Sequence, residues 1–235
     1  YTQNNHISKF MSKYYDDKDR FLVAMDCIIF GFSEGELSLL LIKRKIEPAK
    51  GQWSLMGGFL RENESIDEGA KRVLNELTGL ENVYMEQVRT FGEVERDPGE
   101  RVLSVAYYSL VKIEESDQER LVDHNAYWIK INELPELIFD HGQMVELAKD
   151  VMRQKASTEP IRFNLLPDLF TLTQLQSLYE AIYGTVLDKR NFRKRVAEMD
   201  YIVKTDKIDK TGSKRGASLY KFNDRIYQKH PIFKL

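Results

Sequence analysis

The side chains with the strongest chemical signature crowd into residues 58–80, G-F-L-R-E-N-E-S-I-D-E-G-A-K-R-V-L-N-E-L-T-G-L. Ile66, Ala70, Val73, Leu74 and Leu77 recur at helical spacing. Gly79 suits the left-handed position that ends a helix. Positions 73, 76 and 77 then share one helical face. Carboxylates on such a face would supply the oxygen donors that a hard divalent cation requires. Here the face carries Val73, Glu76 and Leu77. Two of the three have no lone pairs, and Glu76 alone leaves an ion mostly water-bound.

A second cluster, D-K-R-N-F-R-K-R-V-A-E-M (188–199), suits a different chemistry. Asp188 is placed to cap a helix that buries Phe192, Val196 and Met199. Its other face carries Lys189, Arg190, Arg193, Lys194 and Arg195. Before it runs T-L-T-Q-L-Q-S-L-Y-E-A-I-Y-G (171–184), with a helical stripe of Leu172, Leu175, Leu178, Tyr179 and Ile182. Thr171 or Thr173 serves as its N-cap and Gly184 as its stop. After it come strands at 201–206 and 217–222, joined by a loop containing T-G-S-K-R-G. This order resembles a winged helix-turn-helix, whose second helix lies in the major groove. The resemblance implies base contacts from Lys189, Arg190 and Asn191 in the first turn, since arginine pairs with guanine and asparagine with adenine. Arg193, Lys194, Lys214 and Arg215 are expected to hold phosphates.

Residues 58–80 resemble the Nudix box, G-x5-E-x7-R-E-U-x-E-E-x-G-U with U aliphatic. Gly58, Glu64, Arg72, Leu74, Glu76, Gly79 and Leu80 match at the required spacing. The upstream P-A-K-G-Q-W-S-L-M-G-G is similar to the lead-in of that family, and the likeness runs from about residue 20 to 155. In the family's enzymes the box carboxylates hold magnesium, which bridges the substrate diphosphate and stabilises its charge. Val73 and Leu77 replace two of them. The resemblance therefore implies a Nudix fold with little or no hydrolase activity, no catalytic residue, no metal and no cofactor. The rival expectation is a hydrolase whose site is rebuilt by Glu62, Glu64, Glu68 or Glu93. Glu68 is expected to pair with Arg72 one turn later, and Glu64 to brace the loop-helix-loop.

The whole chain resembles the Nudix-related transcriptional regulators, a Nudix-like effector domain followed by a winged helix. One branch (NrtR type) senses ADP-ribose-like nucleotides. Another (AraR type) represses sugar-utilisation genes and is released by L-arabinose. Overall likeness is closest to the arabinose branch. The implied protein is a homodimeric repressor that binds double-stranded operator DNA and is released by L-arabinose. ADP-ribose sensing and active hydrolysis are the alternatives.

The rest of the sequence supports this division. The formal charge of -2 hides an asymmetry: residues 188–235 hold 14 Lys/Arg against 6 Asp/Glu. An acidic body with a basic end suggests two jobs in two regions. The apolar run from Phe21 to Phe32 is interrupted by Asp26 and is too short to span a bilayer. The lone Cys27 excludes an internal disulfide. A cytoplasmic protein without membrane contact follows as the default.

Strands are expected at 21–32, 37–44, 83–92, 102–111 and 126–130, with a hairpin turn at 33–36 and helices at 66–78 and 142–157. The fold class is α+β. It divides into an arm (1–20), a Nudix-like α/β/α sandwich with a mixed sheet (21–157), a proline-marked linker (158–168) and a winged helix (169–235). Strand ends around the box offer Lys43, Arg44, Trp53, Phe91, Glu93, Tyr107 and His141 for an effector. Aromatic faces with a carboxylate suit a sugar, and arginine with lysine suits a phosphate.

Overall fold

In the computed structural model the described residues are 17–158, 165–211 and 216–223. Most of the expected arm, linker residues 159–164 and the expected phosphate contacts Lys214 and Arg215 lie outside them.

The apolar stretch that opens the chain forms β1 (Leu22–Ser33), which is buried along nearly its whole length. A strand covered on both faces needs apolar side chains on both. Met25, Cys27 and Ile29 point to one side, and Ile28, Phe30 and Phe32 to the other. Glu34 and Gly35, both at positive φ, make the two-residue turn into β2 (Glu36–Lys43). β3 (Trp53–Ser54) pairs with β2, and β4 (Met56–Phe59) pairs with the start of β1. β6 (Val102–Lys112) runs parallel to β1, and β5 (Glu86–Phe91) is antiparallel to β6 at one edge. β7 (Ala126–Lys130) returns to β2. The mixed sheet thus runs β3-β2-β1-β6-β5, with β4 and β7 attached to β1 and β2.

Helices cover both faces. α1 (Ile66–Thr78) starts at Ser65 in a reciprocal capping box with Glu68 and stops at Gly79, in the left-handed conformation at φ 71°. It packs Ala70, Val73 and Leu74 onto Met25, Cys27 and Ile29. α2 (Glu115–Asp123) lies near β7 and buries Leu121. α3 (His141–Thr158) covers the opposite face with Met144, Val145, Ala148 and Met152. The architecture is an α/β/α sandwich.

The C-terminal unit is built from β8 (Phe170–Thr171), α4 (Leu172–Tyr183), α5 (Lys189–Ala197), β9 (Ile202–Asp209) and β10 (Ala217–Phe222). Its sheet has the order β8-β10-β9. α4 buries Leu175, Leu178, Tyr179 and Ile182, and α5 buries Phe192 and Val196. α5 ends at Ala197, so Met199 lies beyond it and is only half-buried. One continuous apolar cluster joins α3 to α4 and α5, so the sandwich and the winged helix share a core.

Thr171 and Gln174 form the capping box of α4: each side chain bonds the other residue's backbone N–H. Thr171→Ala is expected to cost about 1 kcal/mol, read as a lower denaturant midpoint with an unchanged slope.

Candidate functional site

The two carboxylates that survive in the box face arginine. Arg72 donates Nε to Glu64 Oε2 at 2.8 Å and Nη2 to Glu64 Oε1 at 2.6 Å, a two-pronged pair with little exposure on either side. Its Nη1 reaches Glu76 Oε2 at 2.9 Å, and Nη2 also reaches the Phe59 carbonyl at 2.9 Å. Arg61 donates its backbone N–H to Glu64 and its guanidinium to Glu76, at 2.9 and 3.0 Å. Glu64 is thus the brace of the loop and helix, whereas Glu68 serves the cap at Ser65 and not the expected pair with Arg72. Hydrogen bonds from Arg72, with the Arg61 N–H and the charge of both arginines, hold the Glu64 carboxyl down at about 2 against its partial desolvation.

The two positions where the box pattern has further glutamates, on either side of Glu76, carry hydrocarbon. Val73 is buried against Gly58, where a Cβ would lie 2.7 Å from Val73 Cγ2. Leu77 joins the apolar cluster beneath α1. Among the described residues, no group of three or more His, Cys, Asp and Glu side chains is arranged to hold a metal ion. The donors do not fit magnesium: an ion would have to displace two guanidinium groups to reach Glu64 and Glu76.

The seven expected effector residues divide into separate groups. Lys43 lies 5.0 Å from the Trp53 ring centre, and Trp53 meets Tyr127 edge-on. Arg44 donates to the Pro48 carbonyl at 2.6 Å and lies over Phe139 at 5.6 Å. Phe91 and Glu93 line a cleft of about 790 Å³ together with Arg89, Arg96, Phe139, Asp140 and Gln143. Phe139 therefore connects the Arg44 group to this cleft. Tyr107 lies apart. Its hydroxyl donates to Asp67, and it lines a hollow of about 1040 Å³ beside the Asp67, Lys71 and Asn75 stripe of α1. That stripe is not the one formed by residues 73, 76 and 77. Burial first, and the Asp67 carboxylate second, push the Tyr107 hydroxyl up.

His141 sits beneath the cleft rather than in it. Its Nδ1 accepts the Leu55 N–H at 3.1 Å, and its Nε2 lies 3.6 Å from Asp26. Burial lowers its pKa, which the nearby carboxylates oppose. Sequence reading missed the network that holds it. Arg96, itself buried, binds both oxygens of Asp140 at 2.8 and 2.7 Å and approaches Asp26 at 3.6 Å. Asp26 in turn accepts from Ser104 at 2.5 Å. Phe139 was also missed. It adopts φ 51°, an uncommon conformation for a bulky residue. Nothing local in the sequence marks this ring, and only the fold puts it in the cleft.

At the other end of the molecule, Asp188 caps α5 by accepting the Asn191 N–H at 2.8 Å. Phe192 packs against Tyr179, and Lys189, Arg190, Asn191, Arg193, Lys194 and Arg195 are exposed. Arg193 and Lys204 line a hollow of about 640 Å³ between α5, the wing strands and the start of α4. One helix thus presents its polar face to solvent beside a β-ribbon.

The fold and these two sites define a Nudix domain carrying a winged helix. The family models agree: a NUDIX domain matches residues 20–148, and an NrtR DNA-binding winged helix domain matches residues 162–222. The chain is 35% identical over 205 residues to the "ADPR responsive transcriptional repressor NtrR" of Acinetobacter baylyi, covering 86% of this chain and 82% of that protein. It is 34% identical over 136 residues to an ADP-ribose pyrophosphatase of Methanocaldococcus jannaschii, 57% of this chain and 74% of that one. Shewanella oneidensis NrtR in complex with a 27mer DNA superposes with a TM-score of 0.73 at 28% identity, over 90% of this chain and 97% of that one. The Nudix domain of the same Shewanella protein, complexed with ADP ribose, has a TM-score of 0.52 at 26% identity over 61% and 97% of the two chains. The chain belongs to the NrtR-type family of Nudix-domain, winged-helix transcriptional regulators. Closeness to the arabinose branch has no support among these relatives.

Because the Glu64 carboxyl is depressed from 4.5 to about 2 in the folded chain, its contribution to stability is complete above about pH 4.5 and lost as pH falls toward 2. Glu64→Gln is expected to lower the melting temperature at pH 7 and to flatten its fall between pH 4.5 and 2, followed by circular dichroism.

Proposed function

We propose that this chain is a DNA-binding transcriptional repressor whose Nudix domain senses ADP-ribose without hydrolysing it. The observation that carries this reading is the box itself: Arg72 and Arg61 occupy both surviving carboxylates, and Val73 and Leu77 put hydrocarbon on either side of Glu76. The fold of the box is kept and its donor set is not. Relatives that respond to or bind ADP-ribose support the choice of ligand, which replaces L-arabinose. The cleft has suitable chemistry. Phe139 gives a face for a base, Arg89, which lies over the buried Phe91 ring, gives a cation for a diphosphate, and Glu93 gives acceptors for ribose hydroxyls.

The operator is read by α5. Lys189, Arg190 and Asn191 meet base edges from its first turn, while Arg193 and Lys194, with Lys214 and Arg215 at the wing tip, neutralise phosphates. A two-fold operator is matched by a homodimer. The protein works where operator DNA lies, in the cytoplasm; among the described residues no helix is long and apolar enough to cross a membrane.

Hydrolysis is the second reading, favoured by the similarity to the Methanocaldococcus pyrophosphatase. Incubation with ADP-ribose and magnesium separates the two. No AMP above the no-protein rate is expected, whereas turnover abolished by Glu76→Gln would establish an enzyme.

In gel-shift titrations ADP-ribose is expected to release operator DNA and L-arabinose to leave it bound. Arg190→Ala is expected to weaken operator binding by roughly 1–3 kcal/mol, about 5- to 150-fold in Kd. Wild-type affinity would move the reading surface elsewhere.

A further inference from the structure

Control of a DNA-reading unit by a distant cleft requires an element that both sites bias. α3 is tied to both. At its leading end, Gln143 and Leu147 line the cleft. Asp140, immediately before the helix, holds Arg96 through two hydrogen bonds, and Arg96 lines the same cleft. Phe139, one residue earlier, is a cleft wall held at φ 51°. Lys155 pairs with Glu86 of β5, fastening the helix to the sheet.

Ten residues beyond Gln143, a distance of about 15 Å along a helix, α3 meets the winged unit. Met152 and Ala156 share a core with Leu175, Leu178 and Ile182 of α4. Arg153 donates Nε to the Ile182 carbonyl at 3.3 Å. That carbonyl lies in the last turn of α4, where peptide oxygens lack helical partners and a cation is favoured. α4 then leads through Gly184 and a short turn to α5. The seam is packed at its apolar centre and open at its rim. A hollow of about 510 Å³ lies between the two units, lined by Lys130, Met152, Arg153, Glu180 and Thr185 among others. The packed centre resists sliding, while the open rim leaves room for a small rotation about it at the C-terminal end of α4.

We propose that α3 is the lever by which cleft occupancy reaches the reading helix, with Arg153 as the positioning residue that hands the motion to α4. The proposal rests on ADP-ribose as the effector. A ligand that stacks on Phe139 and engages Arg89 acts on the residues just ahead of α3. A shift there moves Arg153 and, through Ile182, changes the angle at which α4 presents α5. Arg153 touches neither the cleft nor the exposed face of α5, so its loss separates coupling from binding.

The test is a linkage measurement on full-length protein carrying Arg153→Met or Arg153→Lys. ADP-ribose affinity is measured by calorimetry without DNA, and operator Kd by fluorescence anisotropy with and without saturating ADP-ribose. In the unaltered protein the ligand is expected to raise operator Kd by a factor of about 5 to 150. Arg153→Met is expected to keep both separate affinities within about threefold while that factor falls toward one. Arg153→Lys, which keeps a donor for Ile182, is expected to recover a substantial part of it. An Arg153→Met protein that retains the full factor overturns the lever and leaves the effector reading standing. An operator Kd in the unaltered protein that ignores ADP-ribose overturns the effector reading, and the lever with it. Loss of operator binding in ligand-free Arg153→Met, with melting unchanged, assigns Arg153 to the DNA-competent state and also overturns the lever.

Discussion

The rest of the sandwich depends on the pairing of Arg72 with Glu64. It joins the loop after β4 to α1, and a third prong to Glu76 fixes the outer turns of that helix. A guanidinium is suited to this role because its planar donors meet two carboxylates and a carbonyl at once. With the loop and helix fixed, Val73 packs into the space left by Gly58, and the start of β1 is covered from one side. The same bonds that secure the fold engage both surviving box carboxylates, so a metal ion would compete with the two arginines for the same oxygen atoms.

On the opposite face a second polar cluster plays a complementary part. Asp26 is buried at the centre of the sheet, with Ser104, Arg96 and His141 arranged around it. A buried carboxylate is costly unless paired and hydrogen-bonded. The pairing also joins β1, β6, the loop after β5 and the start of α3 at one point. The cleft wall therefore rests on a network with little freedom to relax locally, and displacement there is passed to a whole helix.

Much of this was legible in the sequence because the signals were local. The helical stripe at residues 66–78 with its Gly79 stop, the Thr171 and Asp188 caps, the 33–36 turn and the basic face of α5 each depend on residues a few positions apart. The strand β4 was hidden because M-G-G-F lacks the β-branched residues that mark strands, and its glycines are there for close approach to the sheet and to Val73. α2 was hidden because E-S-D-Q-E-R-L-V-D supplies almost no apolar stripe, and Leu121 is its buried anchor. Site residues were less legible. Phe91 and Glu93 fall in one cleft, yet Tyr107 lies beside another, and His141 supports the backbone of Leu55. Sequence places residues at strand ends, but which face they meet is set by register. The Arg96–Asp140 pair spans 44 positions and has no local signature.

The arginine grip on the box has a consequence for how such a regulator reads a cell. A receptor that leaves its messenger intact reports standing concentration, whereas an enzyme reports throughput and erases the signal as it measures. On the proposed reading, with Glu64 and Glu76 already paired to arginine, occupancy of the cleft is also insulated from swings in free divalent ions. The proposed function then leaves the duration of derepression to whatever other proteins make and destroy the nucleotide.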